Sequence, residues 1–305
     1  MKIWITGGGG SLGSVLRVNL LTKFPNAEVY SPTSTELNLL DKSEVQKYVS
    51  IHKPTHVFHL AAKVFGIEGH KNFPEECLLR NTEIDNNVFG ALFTYPPEWI
   101  YYASSVATYG FPYIELPLKE KHWDIGNPHE SEFGYAMSKR SSYSYLELLA
   151  RTRSVKFVYG LTTNLFGNGD KFLKGNGHVV VSLLEKAKLA KQENSQLKVW
   201  GKATASRDFL SVQSASQILI DMINIDARVL NIASGQEITI SQIASLIAEI
   251  FALDKGFNFT GENEGVLNRF CDVSTLTQFS QSAQELNSIE ELRTLISFSA
   301  RNTSI

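Results

Sequence analysis

Lys2-Ile3-Trp4-Ile5-Thr6-Gly7-Gly8-Gly9-Gly10-Ser11-Leu12-Gly13 is the stretch that decides the fold of this chain. Its first five residues form a short apolar run of the kind that makes a buried strand, and the glycines follow at once. From Leu12 to Leu21 the sequence reads as a helix. Strand, glycine turn and helix in this order are the context in which a glycine spacing becomes a dinucleotide site. Glycines let the backbone approach a pyrophosphate, and the helix N-terminus presents amide donors and the positive end of its dipole. Gly7, Gly10 and Gly13 fit one known spacing, while Gly8, Gly10 and Gly13 fit another. The loop alone therefore does not separate the dehydrogenase subclasses.

Working outward, the first half alternates apolar strands with amphipathic helices. Residues 28–31, 55–60, 99–103 and 155–159 read as strands, and 41–51, 75–92 and 135–151 as helices. Such alternation predicts a parallel sheet covered by helices on both faces, an α/β, Rossmann-type doubly wound fold. After Phe166 the texture changes to the turn-rich runs 167–170 and 175–177, then a helix over 178–190. Strands are expected at 198–200 and 207–212, and a strand at 229–232 rejoins the sheet. Helices are expected at 241–251 and 288–296, the last opened by a capping pattern of Ser288 with Glu291. The organisation expected is a dinucleotide-binding domain over 1–165 and a smaller, mostly substrate-binding domain over 166–305.

Composition narrows the function classes. A chain of 305 residues with 43% hydrophobic residues can bury a substantial core. Its net charge of −2 gives no basic surplus, so neither nucleic acid nor an anionic membrane is an expected partner. No apolar run approaches the ~20 residues that span a bilayer, and the N-terminus enters a strand without a signal-like segment. Cys77 and Cys271 are too far apart to suggest a clip, and reduced thiols in a cytoplasmic setting are expected. Neither the cysteines nor the histidines show metal-ligand spacing.

The chemistry is carried by Tyr135-Ala136-Met137-Ser138-Lys139, with Ser105 about thirty residues upstream. Residues four apart share a helix face, so the Lys139 ammonium can sit beside the Tyr135 phenol. A free tyrosine, with a pKa near ~10, exchanges protons poorly at neutral pH. A nearby cation lowers that pKa and makes exchange with a sugar hydroxyl or carbonyl feasible.

Several further stretches accompany these motifs in one order: Glu36-Leu37-Asn38-Leu39-Leu40-Asp41, Ala61-Ala62-Lys63-Val64, Thr163-Asn164-Leu165-Phe166-Gly167, Gly177-His178-Val179, Val199-Trp200-Gly201 and Arg207-Asp208-Phe209-Leu210. Together they resemble the extended short-chain dehydrogenase/reductases that act on nucleotide sugars, and within these the GDP-L-fucose synthases. The likeness covers most of the chain and thins after about residue 275. It implies that Ser105, Tyr135 and Lys139 are catalytic and that His178 is an epimerisation acid. It also implies that Asn164, His178, Val179, Lys186, Trp200 and Arg207 line a sugar-nucleotide site, with Arg207 on the diphosphate. Gly7, Gly10, Ser11, Leu12, Gly13, Ser31, Asp41, Ala61, Ala62 and Lys139 would hold the cofactor.

Two departures from the family pattern matter. The position of the family's cysteine base is Ala107, which carries no proton, so carbon epimerisation by the family route is not expected. Ser105-Val106-Ala107 also lacks the acid pair of related dehydratases, which argues against 4,6-dehydration. No carboxylate follows residue 30 until Glu36, where NAD sites usually place one on the ribose. NADP(H) is therefore the expected cofactor, with NAD(H) the alternative. The reading is an NADP(H)-dependent reduction of a GDP-linked 4-keto sugar, by a homodimer. An NAD-dependent C4 epimerase is the runner-up, and a non-catalytic dinucleotide sensor a remote third.

Overall fold

Four of the five residues of β1 (Lys2–Thr6) are buried, as a strand in the middle of a parallel sheet requires. The computed structural model describes residues 1–64, 67–167, 179–261 and 265–301. After β1 come α1 (Ser11–Lys23), β2 (Glu28–Tyr30), α2 (Lys42–His52), β3 (His56–His59), α3 (Ile67–Asn72), α4 (Pro74–Thr94) and β4 (Trp99–Ser105). α5 (Phe133–Arg153), β5 (Lys156–Thr162) and β6 (Asn164–Phe166) follow, then α6 (Val179–Gln192), β7 (Leu197–Trp200), β8 (Ser206–Arg207), β9 (Phe209–Ser211), α7 (Val212–Asp221) and β10 (Arg228–Ile232). The chain ends with β11 (Ile238–Thr239), α8 (Ile240–Ile250), β12 (Phe257–Thr260), β13 (Asn268–Arg269), α9 (Leu276–Phe279), α10 (Gln281–Gln284) and α11 (Ser288–Arg301).

Six strands form one parallel sheet in the order β10-β5-β4-β3-β1-β2. The connection from β1 runs outward to β2 and then back across to β3, so the strand order reverses between β1 and β3. Ligands of doubly wound sheets bind at this switch, beyond the strands' C-terminal ends. Side chains alternate across the sheet with period two. Trp4 and Tyr102 face α2, α4 and α5, packing with Val45, Val88 and Leu146. Ile3, Ile5, Trp99 and Tyr101 face α1 and α7, packing with Leu16, Leu20 and Leu219. A second apolar core, with Phe166, Leu184, Val199, Phe209, Ile243, Ile247 and Leu292, gathers α6, α8, α11, β7 and β9.

Two of the differences from the sequence reading have a clear cause in partners elsewhere in the fold. The strand expected over 207–212 is broken at Asp208 and ends at Ser211, which caps α7. The Asp208 carboxylate accepts hydrogen bonds from Ser234 N (2.9 Å), Ser234 Oγ (2.8 Å) and Gly235 N (2.9 Å). This clasp turns the chain, so β8 pairs with β11 and β13 while β9 pairs with β6. The capping pattern at Ser288 is displaced by one residue. Asn287 Oδ1 accepts from Glu290 N at 3.3 Å, and Ser288 lies inside the helix. Glu291 reaches Ser214 Oγ instead of folding back. Nonlocal partners override the local pattern in both cases. Among the described residues no helix is long and apolar enough to cross a membrane.

Candidate active site

Ser105 is the last residue of β4, at the C-terminal edge of the sheet. The chain turns there through a short 3₁₀ segment, Val106–Thr108, capped by Ser105 Oγ, which accepts the Ala107 N–H at 3.1 Å. Tyr135 stands in the first turn of α5, near enough to Ser105 for the serine hydroxyl to act on its phenol. Lys139 follows one turn later, 1% exposed, with Nζ 5.9 Å from the centroid of the Tyr135 ring. The structure thus brings Ser105, Tyr135 and Lys139 together.

The charge state differs from the sequence reading. The Tyr135 phenol is pushed above its ordinary range, not below it. Burial is the main cause, reinforced by the negative charges near Glu132, Asp85 and Cys77; the Ser105 hydroxyl opposes them only in part. Burial also lowers the Lys139 ammonium, with Asp85 acting against that shift. Tyr135 is therefore protonated at neutral pH, the state needed to give a proton away.

The glycine loop crosses the switch between β1 and β3. Gly7 has φ +72°, and a Cβ there would lie 2.9 Å from Ala61 N. At Gly13 a Cβ would approach Gly7 O to 2.4 Å, so the helix could not close on the loop. Ser31, just past β2, lies over Gly8. Gly10 caps α1 without a side-chain bond, and the first turn, with Ser11 and Leu12, holds no acidic residue. This helix end is suited to an anion. Ala61 N donates to Thr6 Oγ1 at 3.2 Å, and Ala62 continues the same loop. Asp41 is farther along the chain as the cap of α2, where one carboxylate oxygen accepts from Ser43 N, Ser43 Oγ and Glu44 N.

On the second core's side, Arg207 is mostly buried. Nη1 donates to Ser206 O (2.7 Å) and Leu267 O (2.9 Å), and Nη2 to Val266 O (2.7 Å). Burial and the neighbouring Arg269 lower its pKa to about 10, which leaves it charged at neutral pH. Arg269 is itself matched, donating to Tyr113 Oη at 2.6 Å and pairing with Glu132. Burial would lift the Glu132 carboxyl, but Arg269 holds it down, with smaller help from His70 and Arg207. Asn164 Nδ2 donates to Asp208 O at 3.0 Å. Trp200 is 48% exposed at the end of β7, beside Gly261. Val179 opens α6 and packs on the second core, whereas Lys186 is exposed on that helix beside Glu185. His178 lies outside the described residues.

Sequence reasoning missed several residues here. Glu132, three residues before Tyr135, pairs with Arg269, and the two act electrostatically on Tyr135 and on Arg207 respectively. His70, on α3, is buried with its ring 4.8 Å from that of Tyr135 and Nδ1 3.4 Å from Cys77 Sγ. Thr6, His59, Asp85 and Tyr102 form a polar chain beneath Lys139. Glu132 could have been found by its spacing from Tyr135; the others come from separate elements. Among the described residues no three His, Cys, Asp or Glu side chains are placed to hold a metal.

A six-stranded parallel sheet with a glycine turn at its switch point and Ser, Tyr and Lys at the strand ends defines a dinucleotide-binding enzyme of the extended short-chain dehydrogenase/reductase type. The chain belongs to the NAD dependent epimerase/dehydratase family, whose model matches residues 3–233. It is 29% identical over 252 residues to the GDP-L-fucose synthase of Sinorhizobium fredii, covering 82% of this chain and 79% of the relative. It is 28% identical over 303 residues to the GDP-L-colitose synthase of Yersinia pseudotuberculosis, covering 92% of each. Among solved structures, a GDP-6-OMe-4-keto-L-xylo-heptose reductase from C. jejuni superposes with a TM-score of 0.90 at 20% identity, covering 100% of this chain and 98% of that one.

Proposed function

We propose that this protein reduces the 4-keto group of a GDP-linked sugar, with NADP(H) as hydride donor. The observation that carries the reading is the half-buried Tyr135, its phenol held above the ordinary range, with Ser105 acting on it and the Lys139 ammonium 5.9 Å from its ring centroid. The names of the relatives and of the C. jejuni reductase support a GDP-linked keto sugar as substrate class.

The residues present fit the dinucleotide. Gly7 and Gly13 let the loop close tightly where a Cβ would strike the backbone of Ala61 and of Gly7, and α1 offers an N-terminus without acids. NADP(H) over NAD(H) is supported by the lack of a carboxylate at the end of β2. The first acid beyond it, Glu36, is engaged locally by Thr33 N (2.7 Å) and Thr33 Oγ1 (2.9 Å). When bound, NADPH supplies the hydride for C4. Tyr135 donates its proton to the C4 oxygen, and the Ser105 hydroxyl holds that oxygen in line. Lys139 supports the negative charge left on the phenol. Ala107, 3% exposed, offers no acid–base group, which favours reduction without the family's double epimerisation.

We assign residues beyond 165, apart from β10, mainly to the sugar nucleotide, with Arg207 on the diphosphate and Asn164, His178, Val179, Lys186 and Trp200 around it. A cytoplasmic homodimer is the working assembly, and the buried, unbridged Cys77 and Cys271 suit a reducing compartment. Incubation with GDP-, CDP-, UDP- and dTDP-linked 4-keto sugars and either NADPH or NADH tests the proposal by nicotinamide absorbance. Net NADPH consumption with the GDP sugars is the expected result. Interconversion of C4 epimers without net consumption would replace this reading with the epimerase one.

A further inference from the structure

Lys139 is enclosed by protein, 1% exposed, yet among the described residues no carboxylate lies within 4 Å of its ammonium. A ring face lies close to it. Nζ lies 4.6 Å from the centroid of Tyr102, a cation–π distance. The Tyr102 hydroxyl donates to Asp85 Oδ2 at 2.7 Å. Asp85 is 2% exposed on α4, and a buried carboxylate needs both hydrogen bonds and a counter-charge. Ser142 Oγ gives a second bond to Oδ2, and His59 Nε2 lies 2.9 Å from Oδ1. On the far side, His59 Nδ1 lies 2.7 Å from Thr6 Oγ1, which accepts the Ala61 N–H. His59 thus bridges Asp85 and Thr6 through its two ring nitrogens. The Asp85 charge also acts on Lys139, raising its ammonium against the effect of burial.

We propose that Asp85 is the positioning residue of the active site: acting through the hydrogen-bonded Tyr102 ring, it is the counter-charge that keeps Lys139 protonated and in place behind Tyr135. A phenol donating to a carboxylate gains electron density on its ring, which strengthens the ring's hold on a cation. The chain Ala61–Thr6–His59 anchors that carboxylate to the loop at the dinucleotide switch point. The titratable groups facing this site are His59 from β3, Tyr102 from β4, Tyr159 from β5, and Tyr135, Lys139 and Tyr145 from α5. The catalytic consequence rests on the reductase reading, whereas the charge pairing does not, and the test separates the two.

The test is a thermal double-mutant cycle on the whole protein without substrate. Asp85→Asn keeps the shape but removes the charge. Its loss of melting temperature should be at least twice as large with Lys139 present as in a Lys139→Met background, where no ammonium is stranded. If the single variant fails to fold, recovery of folding in the double variant supports the pairing. If neither folds, Tyr102→Phe replaces it, again with a smaller loss expected in the Lys139→Met background. Equal losses in both backgrounds would reduce Asp85 to a hydrogen-bond anchor and overturn the proposal. In turnover, Asp85→Asn should shift the alkaline limb of the kcat profile to lower pH, because the ammonium loses its supporting charge. A purely structural residue would scale the rate without moving that limb.

Discussion

Removing Arg207 should weaken nucleotide binding at least as much as it weakens the fold. A guanidinium has five N–H donors. Three of them satisfy the carbonyls of Ser206, Leu267 and Val266, which leaves Nε–H and one Nη2–H on a single edge among the described contacts. That edge has the fork geometry that binds two oxygens of a phosphate. Hydrogen bonds to charged groups contribute about 1.5–3 kcal/mol each. Two such bonds lost in Arg207→Ala therefore cost at least ~3 kcal/mol, or roughly 150-fold in Kd. The three carbonyls left without a donor cost the fold ~1 kcal/mol each. At about 2 °C per kcal/mol for a chain of this size, the melting temperature should drop by ~6 °C. Calorimetric titration with GDP reads the first effect and a thermal melt the second. Arg207→Lys should recover only part of the affinity, since an ammonium cannot serve three carbonyls and a diphosphate together. A Kd for GDP within about threefold of the parent, alongside the expected loss in melting temperature, would make Arg207 a loop brace and refute its role on the diphosphate.

Three other outcomes are expected. Tyr135→Phe should lose ~10²–10⁴-fold in kcat while binding NADPH normally, as judged by nicotinamide fluorescence; near-normal turnover would remove the proton donor from the scheme. Gly13→Ala places a methyl 2.4 Å from Gly7 O, so NADPH binding should fall at least ~10-fold in a protein whose far-ultraviolet circular dichroism is unchanged, and unaltered affinity would show that the loop does not form the cradle. Turnover in heavy water should leave C3 and C5 of the product without solvent deuterium beyond a single site. Label at both carbons would mean that a base other than residue 107 is at work, and His70, its ring tilted against that of Tyr135, is the first to substitute.

What was legible in the sequence was what is local. The glycine turn lies within one strand–helix connection, and Tyr135 and Lys139 lie on one helix face, so spacing alone placed them. The protonation state of Tyr135 was not legible, because it depends on groups brought in by folding. The sequence shows the cation four residues away, whereas burial and the charges of Glu132, Asp85 and Cys77 decide the direction. Asp208 reads as part of a strand until Ser234 and Gly235 are seen to clasp it. The support beneath Lys139 draws one residue each from β1, β3, α4 and β4, and no periodicity connects them.

The strand order also governs how this protein is made. β5 pairs with β4 on one side and with β10 on the other, and everything from residue 163 to 227 is synthesised between those two partners. At ~5–20 residues per second, β5 spends roughly 3–13 s as the open edge of an unfinished sheet while part of the second core emerges. Exposed edges recruit other strands. Ribosome-bound chains stopped after residue 165 should therefore associate, and those stopped with β10 clear of the exit tunnel should not; equal association of the two would show that the edge is protected by other means. Part of the second half of the molecule thus stands in the production line ahead of the strand that seals the first.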